Sequence, residues 1–487
     1  MPEMGKLRRA LLFASGGRYV VMGINLGATI VLARLLTPAE FGITVLGTAV
    51  LGIAEALREL GSVAYLVQEQ EITAAKIRTV FTVSLIVTLV LTTVLLCLSG
   101  VLADFYGVPG VGRYIRVVAI SYAIAPFAHP IYALLSRDMA FDRVATLDIC
   151  GTLASAICAV CLALLGYSYM SLAWAAVASA LVWTLLGLGL RRNFSVYRFC
   201  LLEWRNVLAF GFYGSATAVL YRISESLFYL MLGRVLNAGA AGVCQRAVML
   251  TLFPERVILA GIGAVALPAF SAHARDGRDL QGAYFKAIEH VTAVLWPALI
   301  LLAILANPIV SIVFGPQWKD VAPILQIFAV SHLFNFPTAL NYAIQVAVGA
   351  IRHTVPLALL QTMIALTVLG VAAGYGLRAV ALSTLLTIPL NVGLSVWLVW
   401  RHLPFRIGQL AAAMKKSAFM SVMSAAGPLA VALHGRGDFS TPWMATAAIL
   451  FAGGWLGGLK LTRHPLFAEL RHAGTVLTNR GVVRLPT

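Results

Sequence analysis

Fourteen apolar stretches, each about as long as a bilayer is thick, alternate with short polar joints along almost the whole chain. They fall at 10–33, 41–62, 80–103, 114–135, 144–166, 168–190, 207–232, 246–270, 288–314, 322–348, 355–375, 378–400, 415–434 and 441–461. A membrane-spanning helix needs roughly 20 mostly apolar residues. Within hydrocarbon each backbone N–H and C=O must find its partner inside the segment, which makes helices of such stretches. The expectation is an all-α integral membrane protein with about 14 transmembrane helices. Segment 415–434 is the weakest of them, because Gly427 and Pro428 interrupt it. Composition agrees: 60% of the 487 residues are hydrophobic and 11% are charged, against about 25% charged in soluble domains.

A net charge of +17 raises nucleic acid as a partner, and its distribution argues against it. With the N-terminus in the cytoplasm, 25 of the 36 Lys and Arg fall on the cytoplasmic side and 8 on the outer side. The other three, Arg18, Arg222 and Arg256, lie inside spans. This is a positive-inside bias, with both termini cytoplasmic and a basic rim that attracts anionic membrane lipid. Trp204 and Trp400 fall at cytoplasmic span ends, and Trp318 and Trp443 at outer ends, as an aromatic belt would place them. Lys6, Arg8 and Arg9 precede the first apolar run, but that run is too long for a signal peptide and reads as an uncleaved span.

The chain repeats itself. Residues 32–42 read LARLLTPAEFG and residues 232–242 read LGRVLNAGAAG; Leu32/Leu232, Arg34/Arg234, Leu36/Leu236 and Gly42/Gly242 coincide. Each segment joins one apolar stretch to the next. Six spans precede the second copy's unit, so the two units share one orientation, as parallel repeats do. The organisation expected is an N-lobe (1–200), a C-lobe (201–405), an extra helix pair (406–461) and a basic cytoplasmic tail (462–487), the two six-helix lobes surrounding a central cavity.

Charges inside apolar spans each cost several kcal/mol unless they meet a partner or water. Arg18 lies in the first span; Arg222 and Glu225 lie three apart on one face of the seventh. Together with Asn25 and Arg58 they are the candidate substrate-binding residues. Glu55, Glu59, Asp148, Glu255 and Arg256 are candidates for gating or ion coupling. Two readings stand side by side: internal ion pairs such as Arg222 with Glu225 or Arg18 with Glu59, and a cationic cavity for an anionic substrate. Prolines 126, 130, 297, 308, 337 and 389 lie within spans, where they free backbone carbonyls and permit bends. Gly23-Ile-Asn-Leu-Gly27 is a GxxxG, read as helix packing.

Cys158 and Cys161 form a CxxC inside an apolar helix with no matching pair elsewhere, a pattern read as small apolar packing and not as a metal or redox site. No GxxxxGK[ST], HExxH, GxSxG or GxGxxG occurs, so no cofactor, metal or enzymatic activity is expected.

Several motifs together are similar to the polysaccharide transporter family, the Wzx-type flippases of the multidrug/oligosaccharidyl-lipid/polysaccharide superfamily. They are Leu32 to Gly42 with Glu59-Leu60-Gly61; Ala140-Phe141-Asp142-Arg143 with Gly166 and Trp174; Leu267 to Ser271; and Trp296-Pro297, Phe314-Gly315-Pro316-Gln317-Trp318 and Ala322 to Leu325. The matches spread over residues 10–400. The resemblance implies two six-helix bundles around a cavity, in the inner membrane of a bacterium. It implies a substrate of undecaprenyl-diphosphate-linked oligosaccharide, flipped from the cytoplasmic to the outer leaflet, with polysaccharide polymerase or export proteins as partners. Arg18 and Arg222 are the positions it points to for the diphosphate. A lipid II flippase, a multidrug exporter of the same superfamily and a membrane glycosyltransferase or polymerase remain the alternatives.

Overall fold

The computed structural model describes residues 2–59, 64–190, 194–434, 441–468 and 471. The described residues form α1 (Pro2–Leu35), α2 (Pro38–Glu59), a short α3 (Ala64–Gln68), α4 (Ala74–Tyr106), α5 (Pro109–Ile124), α6 (His129–Arg137), α7 (Phe141–Leu164), α8 (Met170–Leu190), α9 (Trp204–Val235) and α10 (Ala238–Arg275). They continue with α11 (Leu280–Ile304), α12 (Ala306–Val313), α13 (Val321–His332), α14 (Thr338–Ala347), α15 (Thr354–Ala373), α16 (Leu377–His402), α17 (Ile407–His434) and α18 (Thr441–Leu461). The fold is that of an all-α, multi-pass membrane protein.

Among the described residues ten helices are long and apolar enough to cross a membrane, and the bent pair α5–α6 makes an eleventh. The expected count of fourteen is therefore not reached on this measure, although among the described residues helix covers most of each expected stretch. Stretch 114–135 breaks by 45° between Phe127 and His129, where Pro126 and Pro130 each remove a helical N–H donor. Stretch 288–314 divides after Ile304 into α11 and α12, and 322–348 divides into α13 and α14 at Pro337, which caps α14. α9 and α10, 32 and 38 residues long, are ample for a span. Segment 415–434, expected to be the weakest, lies within α17, a continuous helix of 28 residues that carries Pro428 inside it.

The chain packs as two compact units. The first comprises Met1–Gln245, Val313–Trp318 and Ala358–Leu377. At its centre the two copies of the repeated motif meet. A Cβ on Gly42 would lie 1.9 Å from the Ala238 carbonyl oxygen, and one on Gly242 would lie 3.2 Å from the Gly42 Cα. The joints thus touch backbone to backbone, which only glycine permits. Each copy starts its second helix with a side-chain cap. The Thr37 N–H donates to the Glu40 carboxylate at 2.8 Å, and the Glu40 N–H donates to Thr37 Oγ1 at 3.3 Å. With Pro38 at the first helical position, this is a capping box. In the other copy the Ala240 N–H donates to Asn237 Oδ1 at 2.8 Å.

From this joint α2 and α9 run antiparallel in one register. Residue 42 meets 238, a Cβ on Gly233 would lie 2.2 Å from Leu46 Cδ2, and one on Gly52 would lie 2.6 Å from Ser226 Oγ. As one number rises the other falls, and small residues mark each crossing point.

The carbonyls at the end of α1 would be left without helical donors. Trp318 Nε1 donates to Ala33 O at 2.7 Å and Gln317 Nε2 to Leu36 O at 3.1 Å. Trp318 is fully buried and stands edge-on to Phe41 at 5.8 Å. This corrects its expected place in an outer aromatic belt: the indole locks the joint. The expectation for Gly23 and Gly27 also fails. Both are exposed, and a Cβ on either would meet nothing within 4 Å. Arg234 stacks over the Phe105 ring at 4.7 Å. Cys158 of the CxxC packs against the cluster of Leu32, Leu36, Ala159 and Ala175.

The second unit comprises Arg246–Ile312, Lys319–Leu357 and Arg378–Thr487. α11 is its spine: Tyr284, Ile288, Val291, Leu295 and Leu299 form a buried row at helical spacing. α17 packs on α11, with Thr292 Oγ1 donating to Ser417 Oγ at 2.9 Å. α18 packs on α17 through small residues: a Cβ on Gly454 would lie 2.6 Å from Met423 O, and one on Gly427 would lie 2.5 Å from Leu450 Cβ. Close approach of this kind is how helices associate without a hydrophobic drive from lipid. Just beyond α18, His464 is buried among Glu289, His290 and Lys416. Its Nε2 lies 3.8 Å from Glu289 Oε1, and its Nδ1 accepts the Leu466 N–H at 3.1 Å. Burial lowers its pKa below the usual histidine value, Lys416 and His290 push the same way, and Glu289 opposes them.

Two measurements check these contacts. Gly42→Ala should cost more than about 3 kcal/mol, because the methyl meets backbone that cannot step aside. Gly23→Ala should be neutral or gain about 0.5–1 kcal/mol, the ordinary helix effect. Thermal melts of the detergent-purified protein separate them, and equal effects would refute the joint contact. For His464, the unfolded chain takes up the proton before the folded one does. Its contribution is therefore complete above about pH 6.5 and is lost as pH falls below that value. Melting temperature should drop more steeply with acid in the wild type than in His464→Gln.

Candidate functional site

The intramembrane charges of the first unit gather around α2, α5, α6 and α9. On the last turn of α2, Arg58 Nη2 lies 3.3 Å from Glu55 Oε1, the Arg58 side chain being 16% exposed and that of Glu55 41%. The Arg58 guanidinium stacks over the Tyr122 ring of α5 at 5.2 Å from its centroid. Tyr122 is itself fixed, because its hydroxyl donates to Leu51 O at 2.8 Å. One end of this ring therefore holds α2 while its face carries the cation.

α9 brings in the next charges. The register set at the glycine joint places Arg222 level with the last turns of α2. A Cβ on Gly52 would lie 3.8 Å from Arg222 Cδ, an ordinary contact distance, so the arginine runs alongside Gly52 while Ser226 takes up the space that the glycine leaves. Arg222 Nη1 lies 3.8 Å from Glu225 Oε2, with both side chains about half exposed. Glu55, Arg58 and Arg222 all lie within electrostatic reach of Tyr122.

A second group forms where α1 crosses α7. A Cβ on Gly17 would lie 2.9 Å from the Ala145 Cβ. This approach puts Arg18 and Asp148 within electrostatic reach of each other and of Tyr132 on α6. Arg18 and Asn25 are both exposed and stand seven residues apart, on one face of α1. α6 links the two groups: His129, one turn before Tyr132, lies within reach of Arg58.

Of the candidate residues, Arg18, Asp148, Glu55, Arg58, Arg222 and Glu225 thus belong to one unit and border the same few helices. The expected internal pair Arg222–Glu225 is present. The other, Arg18 with Glu59, concerns a side chain outside the described residues. These six residues are three cations and three carboxylates, so their formal charges balance. Glu255 and Arg256 lie in the second unit on α10, where Asn335 Nδ2 donates to Glu255 Oε2 at 3.4 Å and Arg256 is exposed.

Sequence reasoning missed Tyr122, Tyr132 and the clearing at Gly52. It also missed Arg246, whose side chain is buried in α10, and Arg137. Arg137 donates to the carbonyls of Leu66, Glu69 and Gln70, the last at 3.0 Å, and so holds the end of α3 against α6. Among the described residues no three His, Cys, Asp or Glu side chains gather as metal ligands.

Residues 31–323 match the family model described as polysaccharide biosynthesis protein. The chain belongs to this family. The chain is 25% identical over 322 residues to the lipopolysaccharide biosynthesis protein WzxC of Escherichia coli, covering 65% of each chain. It is 27% identical over 339 residues to the succinoglycan biosynthesis transport protein ExoT of Rhizobium meliloti, covering 68% of this chain and 67% of that one. The match therefore spans about two thirds of the length of these relatives. Among solved structures, the lipid II flippase MurJ in an inward closed conformation shares the fold with a TM-score of 0.75 at 13% identity, covering 93% of this chain and 99% of that one. An inward-facing multidrug resistance MATE family transporter shares it with a TM-score of 0.62 at 17% identity, covering 80% and 95%.

The geometry separates charges that hold the fold from charges that do not. A half-exposed pair at 3.8 Å contributes about 0–1 kcal/mol, so Arg222→Gln and Glu225→Gln should each leave the melting temperature nearly unchanged. Arg137→Gln strips three carbonyls of a charged donor, each bond contributing about 1.5–3 kcal/mol, and should destabilise by several kcal/mol. Equal losses in Arg222→Gln and Arg137→Gln would make the α9 pair structural.

Proposed function

We propose that this protein is a flippase that moves undecaprenyl-diphosphate-linked oligosaccharide units from the cytoplasmic to the outer leaflet of the bacterial inner membrane. Its product would feed the assembly of lipopolysaccharide or exopolysaccharide by polymerase and export proteins. The observation that carries the reading is a set of exposed or loosely paired arginines, Arg18 and Arg222, on helices of a family of polysaccharide biosynthesis proteins.

A sugar head group and a diphosphate would strand many polar groups in hydrocarbon. A hydrated cavity between the chain's halves, 1–200 and 201–405, lets them cross while the polyprenyl tail stays in lipid. The formal balance of the cluster suits exchange. A phosphate that replaces Glu225 beside Arg222 gains charge-assisted hydrogen bonds, and the weak pair costs little to open. Arg18 and Asn25 offer a second anchor on α1. Rocking of the two halves then exposes the site outward. An inside-negative potential drives anions out: two charges crossing the full field release about 4–5 kcal/mol per 100 mV. Proton or sodium exchange through Glu225 or Asp148 is the other route for energy, with Glu255 and Arg256 near the gate.

The fold shared with a lipid II flippase favours one rival substrate of the same chemistry, a diphosphate lipid with a different glycan. Flipping assays in proteoliposomes, with lipid-linked oligosaccharide and lipid II offered in parallel, decide between them. Arg18→Ala and Arg222→Ala should each reduce flipping at least tenfold, about 1.4 kcal/mol, at unchanged abundance and melting temperature. Full activity in both variants would refute the anchoring role, and transport of lipid II alone would reassign the substrate.

A further inference from the structure

The second unit carries an open pocket of about 680 Å³ that the transport reading does not use. It lies between the end of α10, the first turns of α11 and α14. Phe270, Leu340 and Ala283 give it apolar walls, and Lys286, His273 and His290 bring basic groups to the same space. Asp279 is the acidic group in the lining. Its carboxylate is already engaged, Oδ1 accepting the Gly282 N–H at 2.8 Å as the cap of α11. Lys286 is exposed, and among the described residues it has no ion-pair partner. Lys286 and His290 stand four residues apart on one helix face.

The volume falls in the range of ligand sites, about 300–1,000 Å³. A small hydrated anion would satisfy the lysine and leave the apolar walls without a partner. A neutral lipid chain would do the reverse. The complement of both is an amphiphile with an anionic head. In the orientation of the positive-inside rule, residues 271–287 lie at the cytoplasmic surface, where anionic lipids and basic pockets between helices meet.

We infer that this pocket binds an anionic phospholipid of the cytoplasmic leaflet. Lys286 holds its phosphate beside His273 and His290, and the upper part of an acyl chain lies against Phe270 and Leu340. A lipid seated there ties α10 to α11, the helix on which the second unit is built. The leaflet assignment rests on the orientation used in the proposed function; occupancy does not require transport.

The test uses the purified, delipidated full-length protein, titrated with phosphatidylglycerol or phosphatidylcholine while native mass spectrometry counts bound lipids. One phosphatidylglycerol should bind in preference to phosphatidylcholine. Lys286→Gln should weaken that binding about fivefold. Ala283→Trp, which fills the space without changing charge, should abolish it, whereas Lys319→Gln, remote in sequence and equal in charge lost, should leave it intact. Equal binding of the two lipids would overturn the inference, as would phosphatidylglycerol retention in Lys286→Gln equal to wild type. Complete displacement by millimolar inorganic phosphate would also overturn it, since the site would then take a soluble anion. Because the readout is occupancy, a failure of the flippase reading leaves this result interpretable.

Discussion

The Ala238 carbonyl leaves room for a hydrogen on Gly42 and for nothing larger. That contact fixes more than a turn. Two helices that leave a shared joint in backbone contact have their register settled at the first crossing, and each later crossing follows from it. Leu46 fills the hollow at Gly233, and Ser226 fills the one at Gly52. Four residues beyond Ser226 the same register delivers Arg222 to the level of Glu55 and Arg58. The charged cluster is therefore positioned by a packing event at the far end of the two helices.

The joint is secured from outside its own repeat. α1 ends with carbonyls that its own helix cannot satisfy, and the indole of Trp318 and the amide of Gln317 supply the donors. These residues arrive from 281 and 285 positions away in the chain. A buried Trp N–H needs a partner as much as the carbonyls do, so the arrangement settles two problems at once. It also explains why a segment beginning at Val313 packs with the first unit although its chain neighbours pack with the second.

Hydropathy alone made the helices legible, since lipid allows these stretches no other backbone. The capping box has a sequence signature as well, Thr37-Pro38-Ala39-Glu40, although the motif drew notice only as part of the repeat. What escaped were contacts between distant segments. Trp318 has the same local sequence context whether it faces headgroups or a buried carbonyl. Gly23-x-x-x-Gly27 and the glycines at 454 and 458 show one spacing, yet only the latter meet a neighbouring helix. Motif and hydropathy register a residue's own character, whereas packing depends on what arrives opposite. The intramembrane arginines were visible for the same reason that Tyr122 was not: a charge in hydrocarbon is conspicuous, and a tyrosine there is ordinary.

The cluster's electrostatics follow from these constraints. A membrane protein that must hold an anion and then release it cannot use a deep, uncompensated charge, because such a group costs several kcal/mol when the site is empty. Pairing each arginine too well removes the attraction. The observed compromise is graded. Arg58 is held by Glu55 and the Tyr122 face and is mostly covered, while Arg222 keeps a loose partner at 3.8 Å and stays half exposed. The first can maintain the local field without moving. The second is the one that the proposed function asks to exchange its carboxylate for a phosphate, and a loose, half-exposed pair costs little to open.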